Sequence, residues 1–441
     1  MKKLFYGFGS LSYSVIGQTI ANLFMFFATS VLGINGTLVG LAIAISTIWD
    51  GVSDTLIGYV SDHKALGKFG KRNGYMLIAT LGMSISNILL WCVPNDISEI
   101  LKFVWIVVSL LILETFNTMF STPFTALGNE MAESSHDRTK INVINTIFYL
   151  IGIMIPSVLL LIFLPDTYQY PVGQLNPNGY VKIAFVTSGI CLLFGLICSI
   201  TTLKKEKNNE QTNKESIKDI FHNFISVFRN KRLNKIIWGY VFTSVSTVFL
   251  CGVGLHFFTY SFFYSAFQIT FILLSLMLGN IISQPIWLYL SKKYSKRSAL
   301  ILGIILTILA VFSVIAIYLF RIELVSISYY LMIVAIFLCG IGSGALYSLP
   351  SAMYGDEIMS NKCDQSQVAT YSGAMTFAGN IANSLAQLVI GILLDLIKFD
   401  GKMQVQSLGV QTGLALILFV GVQLSLIFAC LIFSKFKTQK N

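Results

Sequence analysis

The chain has 441 residues, of which 55% are hydrophobic and only 11% charged. A mean hydropathy of +0.74 excludes an ordinary soluble protein and predicts a chain that crosses a lipid bilayer with helices of about 20 apolar residues. The formal charge of +10 would suit a nucleic-acid partner, but the basic residues lie between the apolar segments. The seven cysteines have no Cys-x-x-Cys pair or metal-ligand spacing, which predicts buried thiols.

Apolar segments long enough to cross a bilayer recur twelve times along the chain. The first follows Lys2 and Lys3, as in a secretion signal, but it is too long and lacks a small-residue cleavage site. We therefore interpret it as a membrane span. The predicted spans are residues 10–33, 37–60, 74–93, 101–127, 141–164, 182–203, 236–260, 266–290, 299–320, 324–351, 369–397 and 405–434.

Within the second span, Asp50 and Asp54 lie one helical turn apart and can point at the same small volume. An ionised side chain at mid-bilayer costs about 2.5–3.5 kcal/mol on insertion scales, so such residues usually face a bundle interior or a water-filled path. Two carboxylates at one site either hold a cation between them or keep a proton. The pair therefore predicts a cation-coupled transporter.

A polar stretch midway along the chain separates six spans from six. It carries apolar residues at helical spacing between lysines and arginines, which is typical of a helix lying on a membrane surface. A soluble linker helix is the alternative. We predict an N-terminal six-helix half over residues 1–203, a cytoplasmic linker over 204–235 and a C-terminal six-helix half over 236–441.

The basic residues collect on one side of the predicted membrane. Alternate connections, with both ends and the middle stretch, hold 25 of the 30 lysines and arginines. Because cytoplasmic loops carry this excess, both termini are predicted to be cytoplasmic. The excess of positive charge is then explained by the orientation of the chain in the membrane, and no nucleic-acid partner is expected. The abundance of Lys, Asn and Ile indicates a bacterial genome, hence the bacterial inner membrane as the plasma membrane in question.

The two halves repeat a motif. Pro123 to Glu130 ends the fourth span and Pro350 to Glu357 ends the tenth, with Pro, Gly and Glu at the same spacing. A short basic connection precedes both the third and the ninth spans. Parallel repeats of this kind bind solute near mid-membrane and work by rocking one half against the other.

Four motifs also carry a family resemblance: Tyr6-Gly-Phe-Gly9, Ile48-Trp-Asp50-Gly-Val-Ser-Asp54, Gly67-Lys-Phe-Gly-Lys-Arg72 and Asp137-Arg138-Thr139. They resemble the glycoside–pentoside–hexuronide:cation symporters, a branch of the major facilitator superfamily. The resemblance covers nearly the whole chain and is densest over residues 4–142. It implies an all-α polytopic membrane protein with the major facilitator fold, which has twelve transmembrane helices in two six-helix halves.

The resemblance implies a coupling site for sodium, lithium or a proton. In the family this site uses both carboxylates of the second motif, the polar residue just before the second one, and a threonine on the fourth helix. The matching residues here are Asp50, Asp54, Ser53 and, by its spacing from Pro123, Thr118. All are oxygen donors, as hard cations require. We expect a monovalent coupling ion, no other cofactor, and a monomer in the bilayer.

The family's sugar-binding residues are replaced, so the resemblance implies cation coupling with a changed cargo. The residues that stand in their place are Ser14 and Ser121 for two carboxylates, Thr125 for a stacking tryptophan, Asn145 or Thr146 for an arginine, and Phe377 for a lysine.

Polar residues recur at helical spacing on three spans, and two titratable residues accompany them. Amides and hydroxyls suit a neutral polyhydroxyl or zwitterionic solute, although they could instead hydrogen-bond neighbouring helices. Glu114 is either a third titratable group near the cation or a structural acid. His256 either touches cargo or relays protons, or is a packed neutral imidazole. The stripes are Ser14, Gln18 and Asn22; Glu114, Asn117, Thr118 and Ser121; and Asn142, Asn145 and Thr146.

Together these features predict a secondary active symporter that couples Na+ or H+ to a small polar solute, such as a glycoside or sugar-like compound. A lipid-like or peptide cargo on the same fold is one alternative, since relatives of this fold have adopted lysolipids. A non-transporting membrane sensor is another. The sequence has no HExxH, GxSxG or His/Cys cluster, so we do not expect an enzyme.

Overall fold

The computed structural model describes residues 2–63, 72–94, 96–131, 135–203, 230–360 and 368–436. These ranges contain twelve long helical segments and no strand. The helices are α1 (Lys2–Thr19, continued by π-helical turns Ile20–Phe24 and Phe27–Val31), α2 (Gly36–His63), α3 (Asn73–Trp91), α4 (Glu99–Glu130), α5 (Ser135–Phe163), α6 (Pro177–Thr201), α7 (Lys231–Ser261), α8 (Ala266–Lys293), α9 (Lys296–Leu319), α10 (Ser328–Ser360), α11 (Val368–Leu396) and α12 (Leu408–Ser434).

Each helical segment covers one predicted span. Within the described residues, ten helices are long and apolar enough to cross a membrane, judged by length and composition. The predicted surface helix of the linker falls at 204–229, outside the described residues. The linker's last residues belong instead to α7, which begins at Lys231 after an Asn230 cap whose side chain accepts hydrogen bonds from Arg232 N and Leu233 N.

The chain divides into two compact units, Met1–Asn209 with Ser265–Phe267 and Gly391–Val405, and Glu210–Tyr264 with Gln268–Ile390 and Gln406–Asn441. In the first unit, α1 packs on α6 while α3 packs on α4 and α6. In the second, α7 packs on α12 while α9 packs on α10 and α12. These pairs correspond when six is added to each helix number, as the repeated sequence motif predicts.

The repeated motif also places an acidic residue against a basic one in each unit. Arg72 Nε lies 3.2 Å from Glu130 Oε1, which joins the start of α3 to the end of α4. Lys296 Nζ lies 2.6 Å from Asp356 Oδ2, which joins the corresponding helices α9 and α10. The buried Glu357, which matches Glu130 in the motif, pairs with Arg232 of α7 at 3.1 Å.

The first turn of α2 is capped by a carboxylate that lies far away in the sequence. Asp395, in the part of α11 that belongs to the first unit, accepts hydrogen bonds from Gly36 N at 2.8 Å and from Thr37 N at 2.7 Å. The Thr37 hydroxyl also donates to it. The first N–H groups of a helix lack intrahelical partners and carry the positive end of its dipole, so a carboxylate there is stabilising. Asp395 thereby holds the start of the helix that carries Asp50 and Asp54.

We expect Asp395→Ala to lower the free energy of unfolding by about 1–2 kcal/mol, the usual effect of removing a helix cap. Asp395→Asn keeps one acceptor oxygen and should be less destabilising. The measurement is the thermal unfolding midpoint of the purified protein in detergent, with Asp96→Ala at an exposed turn as the control. Equal midpoints for Asp395→Ala and Asp96→Ala would contradict the cap.

Candidate functional site

A cluster of side-chain oxygens joins α2 to α4. Thr118 Oγ1 donates a hydrogen bond to Asp50 Oδ1 at 3.0 Å and lies 3.0 Å from Ser53 Oγ. Ser53 Oγ also donates to the backbone oxygen of Asp50 at 3.0 Å. Ser53 is 2% exposed and Thr118 0% exposed, so their hydroxyls can be satisfied only by protein groups or by a bound ligand. The structure thus brings three of the predicted cation ligands together.

The fourth predicted ligand joins the same cluster. The Asp54 carboxylate, one turn after Asp50, interacts with the hydroxyls of Thr118 and Thr122, and the two carboxylates interact electrostatically. Sequence reasoning missed Thr122, although its position one turn after Thr118 would have indicated it. We call these residues the α2–α4 oxygen cluster: Asp50, Ser53, Asp54, Thr118 and Thr122.

The cluster lies on the side of α2 opposite to an apolar stripe. Ile48, Val52 and Leu56 are 52%, 44% and 54% exposed and recur every four residues, as on a lipid-facing surface. Trp49 Nε1 donates to Thr115 Oγ1 of α4 at 2.8 Å, which fixes the register of the two helices. The carboxylates therefore point toward α4 and away from the exposed stripe.

The donor set fits a hard cation. The Thr118 hydroxyl hydrogen is directed at Asp50 and that of Ser53 can be directed at the Asp50 backbone oxygen, so lone pairs on both hydroxyls remain free to bind a positive ion. Oxygen-only ligands suit alkali cations, whereas zinc prefers nitrogen and sulfur. Across the described ranges, no group of three or more His, Cys, Asp or Glu residues has a metal-binding arrangement.

Glu114 lies beside the cluster on α4. Its Oε2 accepts a hydrogen bond from Asn117 Nδ2 at 3.2 Å, and its carboxyl group interacts electrostatically with both Asp50 and Asp54. A third acid therefore belongs to the surroundings of the α2–α4 oxygen cluster. Its position fits both sequence interpretations, a titratable partner and a hydrogen-bonded structural acid.

A cavity of about 330 Å³ within the first unit is lined by several residues that the sequence predicts to bind solute. Thr125, Asn145 and Thr146 line it, and Asn145 Oδ1 is buried without a hydrogen-bond partner among the described residues. The Tyr6 ring stacks on Phe124 with 4.3 Å between centroids, and its hydroxyl donates to Phe124 O at 2.7 Å. This first-unit cavity is lined by Tyr6, Ser10, Tyr13, Phe124, Thr125, Gly128, Asn142, Asn145, Thr146 and Tyr149.

The polar side chains of the predicted stripe on the first span pack against a neighbouring helix or hydrogen-bond each other. Ser14 is 3% exposed and lies against Gly152 of α5, with its hydroxyl directed at Leu11 O. Gln18 Nε2 donates to Asn22 Oδ1 at 2.9 Å. Asn22 sits in the π-helical turn after α1, and its Nδ2 is buried without a partner among the described residues. Ser14 therefore packs two helices together, while Gln18 and Asn22 bond each other.

Three further predicted residues lie apart from the first-unit cavity. The backbone oxygen of Ser121 accepts a hydrogen bond from Thr125 Oγ1 at 2.9 Å. His256 is wholly buried in α7, beside Phe257, whose ring packs against Phe262. Phe377 is half-buried on α11. None of the three lines this cavity.

Sequence reasoning missed a second polar cavity, of about 200 Å³, within the second unit. Its residues on α7 recur at helical spacing, as on the first span, and this periodicity could have revealed them. The cavity, called here the second-unit cavity, is lined by Tyr240, Thr243, Ser244, Thr247, Val248, Leu346, Tyr347, Ser351 and Asn383.

Long apolar helices in two repeated units, with acids and polar cavities inside, define a polytopic membrane transporter. Residues 5–440 match the family model described as "MFS/sugar transport protein", so the chain belongs to this family of major facilitator transporters. The match places it among membrane transporters rather than enzymes.

Among curated relatives, the sodium-dependent lysophosphatidylcholine symporter 1 of Gallus gallus is 24% identical over 329 residues, covering 68% of this chain and 61% of that protein. The symporter 1-B of Danio rerio is 21% identical over 422 residues, 89% of this chain and 78% of that protein. The isoprimeverose transporter of Lactiplantibacillus pentosus is 23% identical over 308 residues, 68% of this chain and 60% of that protein.

Solved structures share the architecture. A variant of the nucleoside transporter NupG superposes with a TM-score of 0.72 at 14% identity, covering 99% of this chain and 100% of that one. A bacterial homologue of the human lysosomal transporter Spinster reaches 0.62 at 13% identity, covering 98% and 93%. At such identities the likeness concerns the fold alone, and it confirms the predicted major facilitator fold.

Proposed function

We propose that this protein is a symporter in which Na+ or H+ binds at the α2–α4 oxygen cluster and drives transport of a small polar solute by alternating access. The observation that carries the proposal is the hydrogen-bonded set Asp50, Ser53 and Thr118, with Asp54 one turn away. The sodium-dependent relatives support it. By the distribution of Lys and Arg, both termini face the cytoplasm.

The cluster has a physical reason to respond to a cation. Two neighbouring carboxylates repel each other strongly where the dielectric constant is low. A bound Na+ ion or proton offsets this repulsion and holds α2 and α4 in one arrangement. An ion that stabilises one conformation more than another shifts the balance between them, and such a shift is what coupling requires.

The solute is inferred from the cavity linings. The described lining residues of both cavities are uncharged, and they combine hydroxyls and amides with aromatic rings. Such linings favour a neutral, hydroxyl-bearing solute such as a glycoside. The family description and the isoprimeverose transporter support this class. A lysolipid is the second candidate, favoured by the similarity to the lysophosphatidylcholine symporters.

The test is uptake by proteoliposomes that contain the purified full-length chain. Radiolabelled isoprimeverose, melibiose, uridine and lysophosphatidylcholine are offered with an inward Na+ gradient, an inward pH gradient, or neither. We expect one gradient to drive accumulation of a hydroxyl-bearing solute. Melibiose should not accumulate, because Ser14 and Ser121 replace the family's sugar-binding acids. Equal uptake with and without gradients would refute symport.

Thr118→Val should weaken cation activation without abolishing transport. The change keeps the shape of the side chain but removes an oxygen ligand and the hydrogen bond to Asp50. Hydrogen bonds to charged groups contribute about 1.5–3 kcal/mol, so the cation concentration for half-maximal uptake should rise roughly 10- to 100-fold. Thr47→Val, whose hydroxyl donates to Ile43 O, is the matched control. An unchanged cation dependence for Thr118→Val would remove it from the site.

A further inference from the structure

The short connection between α8 and α9 carries a cluster of positive charge. Only Tyr294 and Ser295 separate the two helices, and basic residues lie on both sides of them. These basic residues are Lys292, Lys293, Lys296 and Arg297. Each charge must be met by a protein group, by water or by a ligand.

Two of the four basic residues join helices of the second unit. Lys296 Nζ lies 2.6 Å from Asp356 Oδ2 of α10. Arg297 Nε donates to Phe433 O at 2.9 Å, and its Nη2 donates to Ser434 O. Arg297 thus binds carbonyl groups at the end of α12, which lack intrahelical partners. Both side chains are therefore accounted for by contacts within the protein.

The other two basic residues, Lys292 and Lys293, are exposed on the last turn of α8. Within the described residues, neither lysine forms an ion pair with a carboxylate. Lys293 Nζ lies 5.8 Å from the centroid of the Tyr289 ring and 5.4 Å from that of the Tyr294 ring. Such cation–π contacts hold the ammonium group in place without neutralising its charge. Both lysines are therefore available to an anion outside the protein.

One face of α8 leads from apolar side chains to these lysines. Ile282, Ile286 and Tyr289 are exposed, and they recur every three or four residues up to Lys293, so the four lie along one side of the helix. In a bilayer this order places the isoleucines in the hydrocarbon, the tyrosine at the interface and the lysine at the level of the phosphates. A phospholipid has the same order of chemistry, from its acyl chains to its charged headgroup.

We propose that the end of α8 binds an anionic phospholipid, with the phosphate against Lys292 and Lys293 and an acyl chain along Ile286 and Ile282. Charge complementarity selects this occupant. A zwitterionic lipid carries its own cation, so it gains less from two neighbouring lysines than an anionic lipid does. The site involves neither the coupling ion nor the solute, so its test is independent of the proposed function.

The test measures lipid affinity of the purified full-length protein by native mass spectrometry. The protein in detergent is titrated with dioleoylphosphatidylglycerol and, separately, with dioleoylphosphatidylcholine. We expect the wild type to bind the anionic lipid more tightly. Replacing both lysines, Lys292→Gln with Lys293→Gln, should weaken binding of phosphatidylglycerol at least about tenfold, because each lysine near anionic headgroups contributes to the attraction. Binding of phosphatidylcholine should not change.

The matched control is Lys231→Gln with Lys235→Gln. It removes two exposed lysines at the start of α7 and gives the same net charge, and it should bind phosphatidylglycerol as the wild type does. Lys292→Arg with Lys293→Arg keeps both charges and should also bind normally. Should the glutamine pair fail to fold, Lys292→Gln alone is compared with Lys231→Gln alone.

Four results would overturn the inference. The first is equal affinity of the wild type for the two lipids, and the second is unchanged affinity in the glutamine pair. The third is an equal loss in the control pair, which would indicate general attraction between charges, or a loss in the arginine pair, which would show that positive charge is not recognised. The fourth is complete displacement of the lipid by excess glycerol phosphate, which has no acyl chain and would identify the ligand as a free phosphate.

Discussion

Asp54→Asn, and separately Asp50→Asn, should reduce gradient-driven solute accumulation to the level of protein-free liposomes. Asparagine keeps the size of the side chain and an oxygen that can accept a hydrogen bond from Thr118, but it removes one negative charge. A single remaining carboxylate holds a cation much more weakly, because binding depends on the charge that the ion neutralises. The measurement is accumulation against a concentration gradient under an imposed Na+ or pH gradient.

The design separates coupling from folding and from solute binding. Asp166→Asn is the matched control, because Asp166 lies in the connection before α6, where its Oδ1 accepts from Gly173 N at 2.8 Å, and Asn can still accept there. Membrane insertion and thermal stability should be preserved in all three variants. Concentrative uptake at the wild-type rate by both Asp50→Asn and Asp54→Asn would show that the cluster is not the coupling site.

Gly391→Ala should strongly destabilise the protein. A Cβ at residue 391 would lie 2.0 Å from Gly36 O and 2.7 Å from Gly36 C, and one at residue 36 would lie 2.6 Å from Gly391 O. These contacts are with backbone, so relief requires the start of α2 to move away from α11. Overpacking costs about 1–3 kcal/mol and sometimes more, and here the displacement would also break the Asp395 cap.

The expected readout for Gly391→Ala is a lower thermal unfolding midpoint together with slower uptake. Gly189→Ala on α6 is the control, since a Cβ there meets no atom within 4 Å, and alanine is the better helix former. If Gly391→Ala unfolds at the same temperature as Gly189→Ala, the close approach of α2 and α11 is not a feature of the folded protein in solution.

Periodicity and motif spacing predicted much of the candidate cation site but less of the solute cavities. Asp50 and Asp54 are rare acids in an apolar segment, so their placement follows from the cost of burying charge. Thr118 lies on another helix in a periodic polar stripe, and only the family resemblance predicted that it belongs with the two acids. Ser14 and Thr247 belong to equally plain polar stripes. The sequence pattern of the two stripes does not predict that Ser14 packs against Gly152 whereas Thr247 lines a cavity.

The sequence by itself determined the class of protein, the helices and their repetition, because bilayer thickness and the cost of buried charge act on each segment locally. Only the tertiary structure decided which polar residues meet. Asp395 caps α2 across 358 residues of chain, and Asn383 reaches the same cavity as Thr247. Such contacts depend on how helices pack side by side, and a periodic pattern along one helix carries no information about its neighbour.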